Sequence, residues 1–293
     1  MQSNFHIILN QIIRKKVIYM IKVAICQCGS LGTPEENMAN MVRLFKKAVE
    51  NAKNVDIVTF SEYCYCSPVD NEESHKVAID LDKPHVFLDT MKALAKEYHV
   101  NLIPGSFVTN APDGRVKNTI VFINREGEII AKYNKIHLMV AASYDESSYV
   151  SPGDELCVFD SDLGRIGMMV CYDLRFPEQA RTMCLDGAKI IFVSSMFPSG
   201  VPLPTRVDDW DILVKSTALT NMTYVVATNQ YGTCHGENSF GRSCLVDPKG
   251  LQVTLASGRE CISYGEIDLD YQAAMQENLG VWRNRRPDVY HIS

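Results

Sequence analysis

The order of elements along this chain recurs, and that recurrence constrains the fold more than any other feature. Apolar alternation predicts a strand over 21–28, and helical spacing predicts a helix over 34–53 with Pro34 in its first turn. A short strand over 55–60, a helix over 85–99 and a strand over 101–108 follow. A hairpin over 116–134 then turns at Arg125-Glu126-Gly127. From residue 165 the plan repeats: strand over 165–170, helix over 177–185, strand over 189–194, helix over 207–221 and strand over 223–229. A second hairpin, over 243–256, turns at Pro248-Lys249-Gly250, and a last strand over 261–268 leads into a polar tail.

One such half leaves a sheet covered by helices on one face and bare on the other. Packing the two bare faces together buries both, so the expected architecture is α/β: a four-layer α-β-β-α sandwich of two mixed sheets packed face to face. The loop over 135–164 joins the halves. With 293 residues, 46% of them hydrophobic, the chain is long enough to fill such a core as a single domain.

Charge and composition exclude several classes. There are 29 Lys plus Arg against 35 Asp plus Glu, a net charge of -6, which argues against a nucleic-acid partner. Apolar runs are too short to span a bilayer, and no membrane association is expected. The apolar stretch Phe5–Ile13 precedes its basic cluster Arg14-Lys15-Lys16, the reverse of a secretory signal. Residues 1–19 are therefore expected to be an extension outside the core, with one domain over 20–293. A cytoplasmic location fits that reading. The sequence Asn221-Met222-Thr223 matches a glycosylation acceptor without a secretory context. Of the ten cysteines, only Cys26/Cys28 and Cys64/Cys66 lie close in sequence, and neither pair has zinc-knuckle spacing. No metal or cofactor is expected, and most of the thiols read as small hydrophobes.

In open α/β sheets, ligands collect beyond the carboxyl ends of strands. Glu62 follows the strand over 55–60, Lys135 follows the first hairpin, and Cys171 ends the strand over 165–170 before a turn into a helix. Any one of these alone reads as a core thiol or a solvated loop charge. Together they form a chemically consistent set. A thiol needs a base or a positive field to become a nucleophile; Glu62 supplies the base, and Lys135 supplies a cation for the thiolate and for an oxyanion.

The residues around these three positions resemble the nitrilase superfamily of carbon–nitrogen hydrolases, over nearly the whole chain from Met20 to Tyr290. The resemblance is carried by Ile57-Val58-Thr59-Phe60-Ser61-Glu62, by Lys132-Tyr133-Asn134-Lys135-Ile136-His137-Leu138, and by the run from Gly167 to Glu178 that contains Cys171-Tyr172-Asp173-Leu174-Arg175-Phe176-Pro177. Phe240-Gly241-Arg242-Ser243, Asp247-Pro248-Lys249-Gly250 and Arg285-Arg286-Pro287-Asp288-Val289-Tyr290 are similar to later family marks.

The resemblance implies the same sandwich, paired into a homodimer or a higher homo-oligomer. It also implies a thioester mechanism at Cys171, with Glu62 and Lys135 in the roles above and Glu146 as a second glutamate that orients Lys135 and substrate. The oxyanion would also meet the backbone N–H of Tyr172. Arg175, Ser195 and Met196 are the expected substrate-binding residues, with Arg175 suited to a substrate carboxylate or, equally, to a structural ion pair. Loops over 63–84, 139–150 and 197–206 would shape the pocket. One departure stands out: Thr217-Ala218-Leu219-Thr220-Asn221 carries threonines where the family usually has a charged pair.

The run after Cys171 is most similar to the branch holding omega-amidase and deaminated glutathione amidase. The expected substrate is a small linear amide bearing a carboxylate, hydrolysed with release of ammonia. N-carbamoyl amine hydrolysis is the nearest alternative. A non-catalytic scaffold and an acyltransferase are readings of other kinds. A glutamine-fed synthetase would need a nucleotide-binding domain and a P-loop, which the chain lacks.

Overall fold

The computed structural model describes residues 19–68, 70–141, 144–199, 206–234 and 237–290; the extension expected over 1–19 therefore falls outside it, apart from Tyr19. The first half runs β1 (Ile21–Gln27), α1 (Pro34–Asn51), β2 (Ile57–Thr59), α2 (Asn71–Val77), α3 (Val86–Tyr98), β3 (Asn101–Ile103), β4 (Ser106–Asn110), β5 (Val116–Ile123) and β6 (Ile129–Asn134). Two short strands, β7 (Val140–Ala141) and β8 (Tyr144–Asp145), lead to a 3-10 turn at Glu146–Ser148. The second half runs β9 (Val158–Ser161), β10 (Gly164–Val170), a 3-10 turn at Cys171–Arg175, α4 (Pro177–Leu185), β11 (Ile190–Ser195), β12 (Pro198–Ser199), α5 (Arg206–Asn221) and β13 (Tyr224–Asn229). It closes with β14 (Tyr231–Cys234), β15 (Glu237–Phe240), β16 (Cys244–Val246), β17 (Gln252–Leu255), β18 (Cys261–Ile267) and α6 (Leu269–Leu279).

Among the described residues there are two large mixed sheets, ordered β18-β1-β2-β3-β5-β4, with β6 also on β5, and β17-β16-β13-β11-β10-β9. Strands β1, β2 and β3 are mutually parallel, as are β10, β11 and β13, while the hairpins add antiparallel partners. This is the expected α-β-β-α sandwich. Alternation along β1 shows how it is built. Val23 and Ile25 join Ile57, Ile120 and Phe122 in a core shared with Ile166, Met168, Ile191 and Val226 of the other sheet. Ala24 and Cys26 face the opposite way, against Met41 and Phe45 of α1 and Met91 of α3. Each fully buried Ile, Val or Phe in these layers contributes about 1.5–3 kcal/mol, so the two apolar faces dominate the fold.

Local chemistry agrees with these positions. Thr33 caps α1 and Glu36 reaches back to the Thr33 N–H at 2.9 Å, with Pro34 opening the helix. Met41, Leu44, Phe45 and Ala48, spaced by three or four residues, form its buried stripe.

Besides the unforeseen short strands β7–β9, β12, β14 and β15, the structure departs from the sequence reading in four places. Strand β18 does not stay with the second half; it pairs antiparallel with β1 from Ile21↔Ile267 to Gln27↔Cys261 and makes the edge of the first sheet. The alternation that identifies it as a strand carries no record of its partner. The polar tail contains α6, capped by Asp268, whose side chain accepts from the Tyr271 N–H at 2.9 Å. The strand expected over 101–108 breaks at Pro104-Gly105 into β3 and β4, where Gly105 has φ +78 and a Cβ would sit 2.0 Å from the Ser61 carbonyl oxygen. Helix α2, inside the loop after Glu62, carries too few apolar residues to show a period.

The pole of the sandwich away from the strand ends is tied by Asp56. Its carboxylate accepts from the Tyr19 hydroxyl at 2.6 Å, the Lys22 N–H at 2.9 Å and Arg125 at 2.7 Å, while Arg125 also pairs with Asp162 across the halves. Replacing Asp56 with Ala would leave Arg125 and Tyr19 without this acceptor. We expect Asp56→Ala to lower unfolding stability by about 1–3 kcal/mol in urea titration, with the slope unchanged.

Candidate active site

The carboxyl ends of the parallel strands in both sheets lead into one buried polar cluster. Glu62 leaves β2, Lys135 follows β6, Glu146 begins the 3-10 turn after β8, and Cys171 begins the turn after β10. All four are buried, between 1% and 4% exposed. Each is delivered by backbone geometry that its neighbours fix. Lys135 donates its own N–H to the Asn118 carbonyl at 2.9 Å and accepts from the Gly153 N–H at 2.8 Å. A Cβ on Gly153 would sit 2.1 Å from the Asn134 carbonyl, so only glycine lets that strut approach. Cys171 adopts φ +46, the left-handed region, which costs a side-chain-bearing residue about 1–2 kcal/mol.

The Lys135 ammonium lies between two carboxylates. It donates to Glu146 Oε2 at 2.8 Å and Oε1 at 3.0 Å, and to Glu62 Oε1 at 3.2 Å. Burial works to lower its pKa, but the charges of Glu146, Glu62 and a Cys171 thiolate hold it well above its ordinary value. Glu62 is raised above the usual glutamate value, chiefly by burial and also by the Glu146 charge; Lys135, the Met196 N–H and Asn118 oppose the rise. One side of the site therefore holds a permanent cation beside a carboxyl group that takes a proton more readily than usual.

Glu62 and Cys171 are joined through a single peptide segment. The Met196 N–H donates to Glu62 Oε2 at 2.7 Å, and the Cys171 thiol donates to the Met196 carbonyl at 3.6 Å. Tyr172 follows Cys171 in the first turn of a 3-10 segment, where backbone N–H groups have no acceptor within the helix. Ser195, at the end of β11, is fully buried, and its hydroxyl makes no hydrogen bond among the described residues. Arg175 donates through Nη2 to Asp209 of α5 at 2.7 Å and lies over the Phe197 ring at 5.7 Å, the structural ion pair that was one of its two expected uses. Among the described residues no group of His, Cys, Asp and Glu has the makings of a metal site.

Several residues of the site carry no role in the sequence reading. Asn118 of β5 donates to Glu62 Oε1 at 2.8 Å and approaches Glu146 Oε1 at 3.5 Å. Asn118, among the polar residues of the otherwise apolar strand Val116–Ile123, was the available signal, because a buried amide needs a polar partner. Gln230 donates to the Glu62 carbonyl at 2.7 Å, and Asp173 ties the cysteine turn to the lysine loop. Of the loops expected to shape the pocket, residues 69, 142–143 and 200–205 lie outside the described residues. The threonines at 217 and 220 are accommodated without charge. Thr220 donates to the Ser216 carbonyl at 2.6 Å, and its own carbonyl accepts from Arg181 at 2.6 Å.

Comparison with known proteins identifies the cluster's setting. The carbon-nitrogen hydrolase family profile matches residues 22–277. The chain belongs to this family. It is 31% identical to the deaminated glutathione amidase of Dictyostelium discoideum, over 96% of this chain and 100% of that one. It is 29% identical to an omega-amidase of Saccharomyces cerevisiae (92% and 94% covered) and 30% identical to the N-carbamoylputrescine amidase of Solanum tuberosum (93% and 94% covered). Among solved structures, a carbon-nitrogen hydrolase from Helicobacter pylori G27 superposes with a TM-score of 0.86 at 25% identity, covering 93% of this chain and 97% of that one. A Saccharomyces cerevisiae protein of nitrilase superfamily branch 10 superposes with a TM-score of 0.82 at 27% identity, covering 91% and 97%. No described helix of this carbon–nitrogen hydrolase is long and apolar enough to cross a membrane.

The charge balance of the cluster is testable without substrate. Lys135→Met would leave Glu62 and Glu146 buried without their cation, at a cost of about 3–5 kcal/mol if both stayed ionised. Glu62, already raised by burial, would instead take up a proton more readily in the folded state than in the unfolded one. Stability then falls as pH rises through its folded-state pKa. We expect the Tm deficit of Lys135→Met to be larger at pH 8 than at pH 5.

Proposed function

We propose that this chain hydrolyses a small linear amide bearing a carboxylate through a thioester on Cys171, releasing ammonia. The observation that carries the proposal is the buried cluster itself: an ammonium held by two carboxylates, one of which accepts from the backbone N–H of Met196, whose carbonyl accepts from a cysteine on a strained turn. In this reading Glu62 takes the proton of Cys171 as sulfur attacks the amide carbonyl. The oxyanion is stabilised by Lys135 and the Tyr172 N–H. Glu62 then returns the proton to the departing nitrogen, leaving ammonia and an acyl thioester. Water, deprotonated by Glu62, opens the thioester to the acid and restores the thiol. Glu146 holds Lys135 in place through both its oxygens.

Arg175, Ser195 and Met196 form the substrate side of the proposal. Arg175 uses one Nη2 contact on Asp209, and its fork retains donors for a substrate carboxylate. The names of the Dictyostelium discoideum and Saccharomyces cerevisiae relatives support an amide substrate. N-carbamoyl amine hydrolysis is the second reading. It is favoured by Asp209, a partly exposed carboxylate beside Arg175, and by the name of the Solanum tuberosum relative.

The same proposal includes a homodimer or higher homo-oligomer, for which the exposed Ile212 and Leu219 of α5 and Leu251 and Val253 beside and on the edge strand β17 offer an apolar face. It includes a single domain over 20–293, with residues 1–19 an extension outside its core. It also includes a cytoplasmic location, because a thiol nucleophile among ten cysteines needs a reducing compartment.

The test is ammonia release from 2-oxoglutaramate, deaminated glutathione, succinamate, N-carbamoylputrescine and an aliphatic nitrile. We expect a carboxylate-bearing amide to be the best substrate, and Cys171→Ala to lower kcat by at least about 10⁴-fold. Preference for N-carbamoylputrescine would favour the second reading. Turnover of none, with Cys171 alkylated no faster than the other cysteines, would favour a scaffold. Because Glu62 must be ionised to act as a base, kcat/KM should fall as pH drops. The acidic limb should lie above the ordinary glutamate value of 4.5, since Glu62 is raised.

A further inference from the structure

Asp173 sits two residues after Cys171 and is fully buried. Its carboxylate receives hydrogen bonds from both walls of the site. On the nucleophile side, Oδ2 accepts from the Val170 N–H at 2.8 Å, the residue just before Cys171. On the lysine side, Oδ2 accepts from the Tyr133 hydroxyl at 2.7 Å, and Oδ1 accepts from the His137 N–H at 3.0 Å and from His137 Nδ1 at 2.8 Å. Tyr133 and His137 lie two residues before and two after Lys135, so this one carboxylate grips the lysine loop on both sides.

The surrounding groups hold that grip in a single arrangement. The Tyr133 hydroxyl accepts from Gln179 of α4 at 2.9 Å and from the Ile136 N–H at 3.1 Å, which leaves its own proton for Asp173. Burial and the Asp173 charge push the Tyr133 phenol well up, so it remains a donor. An ionised carboxylate only accepts, so His137 carries a proton on Nδ1. Its ring stacks on Phe176 with centroids 3.7 Å apart, and Phe176 ends the cysteine turn.

We infer that Asp173 is a positioning residue, acting through Val170 on one side and Tyr133 and His137 on the other to set the separation between the Cys171 sulfur and the Lys135 ammonium. An amide in its place cannot do this. Either end of an asparagine side chain faces donors from these partners, so the nitrogen would meet a donor and one wall would be released. The inference rests on the roles proposed for Cys171 and Lys135, and its test uses a readout that needs no substrate.

The experiment measures the rate of Cys171 alkylation by iodoacetamide, resolved by peptide mass spectrometry, from pH 5 to 10. It compares wild type, Asp173→Asn, His137→Asn and His137→Ala, with Tm recorded for each. Among the described residues the ionisable groups of the site besides the thiol are Lys135, Glu62 and Glu146, with Asp173 and Arg175 on the cysteine's own turn, His137 and Tyr133 against Asp173, and Asp209 against Arg175. In folded Asp173→Asn, the alkylation profile should move to higher pH and the rate at pH 7 should fall about tenfold. On an amide that is turned over, kcat should fall about 10–100-fold, with KM within about threefold of wild type. His137→Asn keeps a donor near the place of Nδ1 and should retain more of the wild-type profile than His137→Ala.

An unchanged profile in folded Asp173→Asn would overturn the inference. So would a rate loss that matches only the fraction unfolded. Should Asp173→Asn fail to fold, identical profiles for the two His137 variants would overturn it, and an alkaline shift confined to His137→Ala would support it. A wild type that turns over no amide but shows the expected alkylation shifts would defeat the proposed function and leave the positioning role standing.

Discussion

The ammonium of Lys135, enclosed with two carboxylates, is the contact on which the architecture of the site depends. Isolated burial of any of these three charges would cost several kcal/mol per ion. The cost is offset because Glu146 meets the ammonium with both oxygens, Glu62 meets it with one, and the remaining acceptor positions are filled by the Met139 N–H, the Met196 N–H and Asn118. The cluster carries two formal negative charges against one positive charge. Burial is what chiefly raises Glu62, with the Glu146 charge adding to the rise and Lys135 opposing it, which leaves a glutamate able to hold or release a proton beside a cation that stays charged.

Such a cluster must be assembled from distant parts of the chain, and the sandwich supplies the frame. Packing the two parallel-strand units face to face brings the end of β2 beside the end of β11, where the backbone N–H and carbonyl of Met196 link Glu62 to Cys171. Ser194 of β11 donates to the Phe60 carbonyl at 2.9 Å, and the Thr59 and Thr228 hydroxyls meet at 2.6 Å, so polar bonds also fix the sheets' relative position near the site. The strained turn at Cys171 is tolerated because it is braced at both ends, by the Asp173 bond to Val170 and by the Phe176–His137 stack. Apolar burial holds the layers together; the polar bonds determine where the reactive groups stand within them.

Most of this was legible in the sequence because it depends on local signals. Alternation and helical spacing gave both β-α-β-α-β units, and the strand-end positions of Glu62, Lys135 and Cys171 followed from them. What escaped was information carried by partners. The pattern of β18 marks a strand but does not say that it crosses to β1. Helix α6 is nearly uniform in polarity, with Gln272 as its buried residue, so no apolar stripe announces it. Asn118 and Asp173 are ordinary polar residues until the structure shows what surrounds them. Arg175 had two physically reasonable uses, and only the position of Asp209 on α5 shows the ion pair.

The central claim is that Cys171, within this cluster, forms the covalent bond to the substrate carbonyl. The most direct measurement is intact-protein and peptide mass spectrometry after rapid acid quench of the wild-type protein mixed with its best amide. The account predicts a mass increase equal to the amide minus ammonia, located on the peptide that holds Cys171 and appearing no later than free ammonia. Ammonia released steadily with no adduct at any quench time, or an adduct on a different cysteine, would contradict it.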